Sequence, residues 1–123
     1  MKIYMASPLG FSEAGRSFYK DTLIRKVKRL RHKPVDPWTL TGKAKIDAVN
    51  SGTAAEIGYA FAKGKPILGY RGDFRLSADN DGSIVNLQVE YFIRQSGGDI
   101  VTGVAELGPA LAKIKAAGLK RPL

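Results

Sequence analysis

Apolar side chains open the chain as Ile3-Tyr4-Met5-Ala6 and stop at the turn Ser7-Pro8-Leu9-Gly10, a pattern that predicts a buried first strand over residues 2–6. Ser12 stands where it can cap a helix running to about Leu30, with Tyr19, Leu23, Val27 and Leu30 on one stripe at helical spacing. Lys33-Pro34-Val35-Asp36-Pro37 reads as a short second strand, and its prolines place it at an edge. Further on, the polar turn Asn50-Ser51-Gly52 leads into a helix that Gly64 ends, and Pro66-Ile67-Leu68-Gly69-Tyr70 follows as a buried strand. Asp79-Asn80-Asp81-Gly82 is a turn. Residues 84–94 fit two patterns: Val85, Leu87, Val89, Tyr91 and Ile93 alternate as in a strand, while Ile84, Leu87 and Tyr91 also share a helical face. Asp99-Ile100-Val101-Thr102 makes a last strand. A final helix from about Val104 to Ala117 sets Leu107, Leu111 and Ile114 on one side and ends at Gly118. Strands alternating with helices predict the α/β class, with a parallel sheet covered by helices on both faces.

Composition narrows the chemistry. A chain of 123 residues, 44% hydrophobic and 25% charged, suits one globular domain over residues 1–123. No apolar run is long enough to span a bilayer, and the N-terminus lacks a signal-peptide pattern. Zero cysteines exclude a disulfide scaffold, a thiolate nucleophile and thiolate zinc sites. With His32 the only histidine, a Ser-His triad or a histidine-rich metal centre is disfavoured. The expectation is a cytoplasmic protein that needs neither metal nor cofactor.

The net charge of +9 has an identifiable source. Arg25, Lys26, Lys28, Arg29, Arg31 and Lys33 crowd the end of the first helix and the loop after it. Cations near a helix C-terminus are favourable, so a solvated basic face accounts for them. Nucleic-acid binding is the sharper reading, because phosphate contacts come from such clusters. The cluster has no interleaved aromatics and no nucleic-acid-binding motif, which counts against nucleic acid as a partner. Attraction for anionic substrates lies between the two.

Glu56 is the leading candidate for chemistry. Thr53-Ala54-Ala55-Glu56 fits a capping box, in which Glu56 folds back onto its own helix start. The small residues Gly52, Ala54 and Ala55, and a Gly58 that weakens the helix without capping it, instead leave room for a group to approach the carboxylate.

The segment Gly52-Thr53-Ala54-Ala55-Glu56-Ile57-Gly58-Tyr59-Ala60, with the opening Lys2-Ile3-Tyr4-Met5-Ala6-Ser7-Pro8-Leu9, resembles the nucleoside 2-deoxyribosyltransferase family. Asp36-Pro37-Trp38 and Ile84-Val85-Asn86-Leu87 are similar to that family's pattern too. The resemblance implies a three-layer α/β/α sandwich with a mostly parallel, flavodoxin-like sheet, and a helix over residues 84–94. It implies transfer of a 2-deoxyribosyl group between nucleobases, with Glu56 as the nucleophile held by the Tyr4 hydroxyl. Ser7 and Phe11 would line the pocket, with Phe11 stacking on a base, and Asp36, Trp38, Asn50 and Gly52 would lie on the substrate side. Asn86 would cross to a neighbouring subunit's sugar, making the working unit a dimer or higher oligomer. The partners implied are deoxynucleosides and free nucleobases. Two other readings remain open: a deoxynucleoside 5′-monophosphate N-glycosidase, and a non-enzymatic basic module that binds nucleotides or nucleic acid.

Two departures from the family pattern matter. Asn50 stands where an aspartate is common, and an amide cannot donate a proton as an acid, so Asp36 or Asp47 would have to protonate the leaving base. The stretch from Thr39 to Ser51 is also short for the helix and central strand expected there, which suggests a segment absent near residues 49–50.

Overall fold

The computed structural model describes residues 1–6, 13–36, 49–72 and 85–119. The chain falls into two compact units, Met1–Ala54 and Ala55–Leu123. In the first, β1 (Lys2–Tyr4) pairs in parallel with β2 (Lys33–Val35), with Lys2 opposite Lys33 and Tyr4 opposite Val35. The connection is one long helical run: α1 (Glu13–Phe18), a π-helical stretch (Tyr19–Ile24) and α2 (Arg25–Arg29). The expected stripe forms the core of this unit, with Tyr19, Leu23 and Val27 buried; Leu30, at the helix end, is only partly covered. Ser12, the expected cap, lies outside the described residues.

The second unit begins within α3 (Val49–Ala62). It continues through β3 (Gly69–Tyr70), α4 (Leu87–Gln95), β4 (Ile100–Val101), a 3-10 turn (Val104–Glu106) and α5 (Leu107–Leu119). β3 and β4 pair in parallel, Gly69 opposite Ile100 and Tyr70 opposite Val101. Ile93, Val101, Leu107, Leu111 and Ile114 are its buried apolar residues. The ambiguous segment resolves as helix because Asn86 caps it: its Oδ1 accepts from the backbone N–H of Gln88 at 3.0 Å and of Val89 at 3.4 Å. Gly98 cannot carry a side chain, since a Cβ there would collide with the Ile67 carbonyl oxygen. That close approach seats the α4–β4 turn against the chain leading into β3.

Three expectations change. The first strand, expected to be buried, has Lys2 and Tyr4 exposed and Ile3 only partly covered. The helix bearing Glu56 starts at Val49, so Asn50, Ser51 and Gly52 are helical and not a turn. The last helix does not stop at Gly118 but runs through it to Leu119. The class is α/β as expected, and its parallel pairings are consistent with the three-layer arrangement. Residues 37–48, where a central strand would fall, lie outside the described residues, and the suspected junction near residues 49–50 falls at the start of α3.

Three helices end in the same way. Each places one residue in the left-handed region and closes with a pair of backbone bonds reaching three and five residues back. At Gly64 (φ 63°) these are Gly64 N–H to Phe61 O at 2.9 Å and Lys65 N–H to Ala60 O at 3.0 Å. At Gly97 (φ 82°) they are Gly97 N–H to Arg94 O at 3.1 Å and Gly98 N–H to Ile93 O at 3.3 Å. At the end of α2 the same position holds Arg31 (φ 59°), with Arg31 N–H to Lys28 O at 2.9 Å and His32 N–H to Val27 O at 3.2 Å. Two of the three ends use the residue that suits this backbone; the third uses an arginine.

Candidate active-site residues

In parallel α/β proteins ligands gather at the carboxyl ends of the strands. Two candidates in the first unit sit there. Tyr4 ends β1 and is half exposed, and Asp36 follows directly on β2, whose Val35 carbonyl accepts from the Met5 N–H at 3.0 Å. Tyr19 ties the two strand ends together. Its hydroxyl lies 2.9 Å from Asp36 Oδ1 and 3.2 Å from the Met5 carbonyl oxygen, donating toward both acceptors. Burial pushes the Tyr19 hydroxyl pKa well above its ordinary value of 10.0, and the adjacent Asp36 carboxylate adds to that shift. Sequence reading took Tyr19 as core only. The signal was there: a phenol on a buried stripe needs a partner for its hydroxyl.

In the second unit Glu56 is half-buried on α3. It is the eighth residue of the helix, and the first turn of α3 has no acidic residue. The capping box read at Thr53–Glu56 is therefore overturned: the helix has already begun, and the amide Glu56 would reach back to is within it. The same fact removes the idea that the helix N-terminus holds Glu56 ionised, because that field fades within the first turn. A glutamate does close a helix start elsewhere. Glu106 Oε2 accepts from the backbone N–H of Thr102 at 3.0 Å and of Gly103 at 2.8 Å, ahead of the 3-10 turn.

Gly58 faces α4. A Cβ built on it would meet the Phe92 ring at 3.6 Å, an ordinary contact, so packing alone does not require glycine there. Phe92 stacks on Phe61 with ring centroids 4.9 Å apart, and Tyr91 meets both rings edge-on. Gly52, in the first turn of α3, is exposed, and a Cβ there would meet nothing within 4 Å. Asn50 is helical. Asn86 is exposed and caps α4. Ser7, Phe11, Trp38 and Asp47 lie outside the described residues.

Residues 39–88 match the family model described as Nucleoside 2-deoxyribosyltransferase. Over that segment the chain is similar to the nucleoside 2-deoxyribosyltransferase family. The match includes Glu56, Asn50, Gly52 and Asn86, and leaves Tyr4, Ser7, Phe11, Asp36 and Trp38 outside it. A search of curated proteins finds no match. Among solved structures, a conserved protein from Enterococcus faecalis V583 aligns with a TM-score of 0.70 at 22% identity, over 95% of this chain and 98% of that one. At that identity the likeness establishes a shared fold.

Proposed function

We propose that this chain moves a 2-deoxyribosyl group from one nucleobase to another, with Glu56 as the nucleophile. The Glu56 carboxylate attacks C1′ of a 2′-deoxynucleoside. The C1′–N bond breaks, its electron pair goes to the base nitrogen, and the base leaves with a proton. A nitrogen of the acceptor base then attacks C1′, displaces the carboxylate and loses its own proton. Two displacements retain the anomeric configuration, as in retaining glycosidases. Lacking a 2′-hydroxyl, the sugar forms its cationic transition state with less help, so a carboxylate and one proton donor suffice. Asp36 is our candidate donor, and Tyr4 the residue that orients the nucleophile. Asn50, as an amide, hydrogen-bonds the base without protonating it. We assign the assembly as a homo-oligomer in which Asn86 reaches a neighbouring sugar.

The observation that carries this reading is the position of Glu56. It stands inside the family-matched segment, half-buried, seven residues beyond the helix start, where a capping carboxylate has no task. The test pairs two measurements on Glu56→Gln. Incubation with a deoxynucleoside and a different free base should give base exchange with the native chain and none with the variant. Melting of the variant should stay close to native, because no cap is lost. Mass spectrometry of the intact native protein should show a deoxyribosyl adduct at Glu56. A variant that still exchanges bases refutes the assignment.

A further inference from the structure

The basic cluster lies at the end of the first unit opposite to Tyr4 and Asp36. Tyr4 ends β1 and Asp36 follows β2, whereas Lys2 and Lys33 begin those strands as direct neighbours, so both lysines share one face. α2 ends beside them, bringing Lys28, Arg29 and Arg31 to the same edge, all exposed. A substrate bound at the strand carboxyl ends does not need these cations. Residues 1–36 hold nine Lys/Arg against three Asp/Glu, so +6 of the chain's net +9 is concentrated here.

Local neutralisation is sparse. Among the described residues, the ion pair that an acidic side chain makes with the cations from residue 25 to 33 is Asp21 with Arg25, at 3.4 Å and largely exposed. Pairs of that kind contribute little. Lys28 and Arg29 face Arg25 three and four residues earlier, spacings at which like charges repel. Arg31 strengthens the case. It occupies the left-handed position that glycine holds at the two other helix ends of this kind, so a cation is kept where backbone comfort favours glycine.

We infer that this edge, built from Lys2, Lys28, Arg29, Arg31 and Lys33, is a docking surface for the sugar–phosphate backbone of a nucleic acid. The sequence argument against nucleic acid was the lack of aromatics and motifs. Those features read bases; backbone contact needs only cations on a fixed frame. The frame is fixed by the closing bonds of α2 and by the β1–β2 pairing. An anionic membrane is the less suitable partner, because the helix turns its apolar stripe, Tyr19, Leu23 and Val27, into the core and does not offer it for insertion.

The experiment is fluorescence anisotropy of a labelled single-stranded DNA of mixed sequence, titrated with the full chain at several salt concentrations. Four to five phosphate contacts on a single strand give a log–log salt slope of about −3. Arg29→Gln with Lys33→Gln should weaken binding several-fold and reduce that slope by about 1.4. Lys113→Gln with Lys115→Gln removes the same charge from exposed positions on α5 and should leave binding unchanged. Arg31→Gly should weaken binding while raising the melting temperature, a pair of opposite changes that a purely structural residue would not give. The inference is overturned if the oligonucleotide fails to bind, or if the α5 variant weakens binding as much as the edge variant. Binding to phosphatidylserine vesicles without binding to the oligonucleotide overturns it as well.

Discussion

Arg31→Gly should make the protein more stable. Arg31 has φ 59°, a region where a Cβ crowds the following carbonyl at a cost of roughly 1–2 kcal/mol. Glycine removes that crowding but widens the choices open to the unfolded chain, which offsets about 0.4–1 kcal/mol. The net gain is about 0.5–1 kcal/mol, or a melting temperature higher by about 2–4 °C for a chain of this size. Both closing bonds, Arg31 N–H to Lys28 O and His32 N–H to Val27 O, use backbone atoms and survive the change. Loss of a positive charge among like charges could also stabilise, so Arg31→Ala is the control: it removes the charge and keeps the Cβ. Thermal unfolding followed by circular dichroism, with urea titration alongside, should rank Gly above both Ala and Arg. An Ala variant as stable as the Gly variant would falsify the backbone argument, leaving charge repulsion as the cause. A Gly variant that melts lower would refute both.

Tyr19 predicts an alkaline limit to stability. Its pKa is raised in the folded chain, so the unfolded chain gives up the phenolic proton first. This contribution is whole below the ordinary value of 10.0 and declines as pH rises beyond it, by about 1.4 kcal/mol per pH unit until the folded group ionises. Urea unfolding of Tyr19→Phe between neutral pH and pH 11 or so should lack that decline, and equal slopes for variant and native chain would count against it. Asn86→Ala leaves the N–H groups of Gln88 and Val89 without their side-chain acceptor and should cost about 1 kcal/mol. Asn86→Asp should keep the cap and the melting temperature. If that variant nevertheless loses base exchange, Asn86 also serves a sugar; if exchange persists, its role is confined to the cap.

The order of elements was legible because each rests on short-range pattern. The stripe Tyr19–Leu23–Val27 and the set Leu107–Leu111–Ile114 are both buried as their spacing implies. The strands fall within the predicted segments, and Gly64 ends its helix in the left-handed conformation expected of it. The resemblance to the family was legible too, since residues 39–88 match its model. What the sequence misplaced was a boundary. Thr53-x-x-Glu56 has the composition of a helix start, but composition cannot tell where a helix begins when the preceding residues also tolerate helix. α3 starts at Val49, and the glutamate that reaches back to a helix start is Glu106.

Tertiary structure alone decided the rest, because it depends on atoms far apart in the chain. The Tyr19 hydroxyl meets Asp36 across seventeen residues, and a core tyrosine becomes the tie between two strand ends. Asn86 reads from sequence as a surface residue or a reaching one, and only the path of the backbone aims its oxygen at two amides of its own helix. The run of cations from Arg25 to Lys33 is a list of charges until parallel pairing sets Lys2 beside Lys33. Periodicity fixes which side of an element is apolar; the meeting of elements fixes which polar groups find each other.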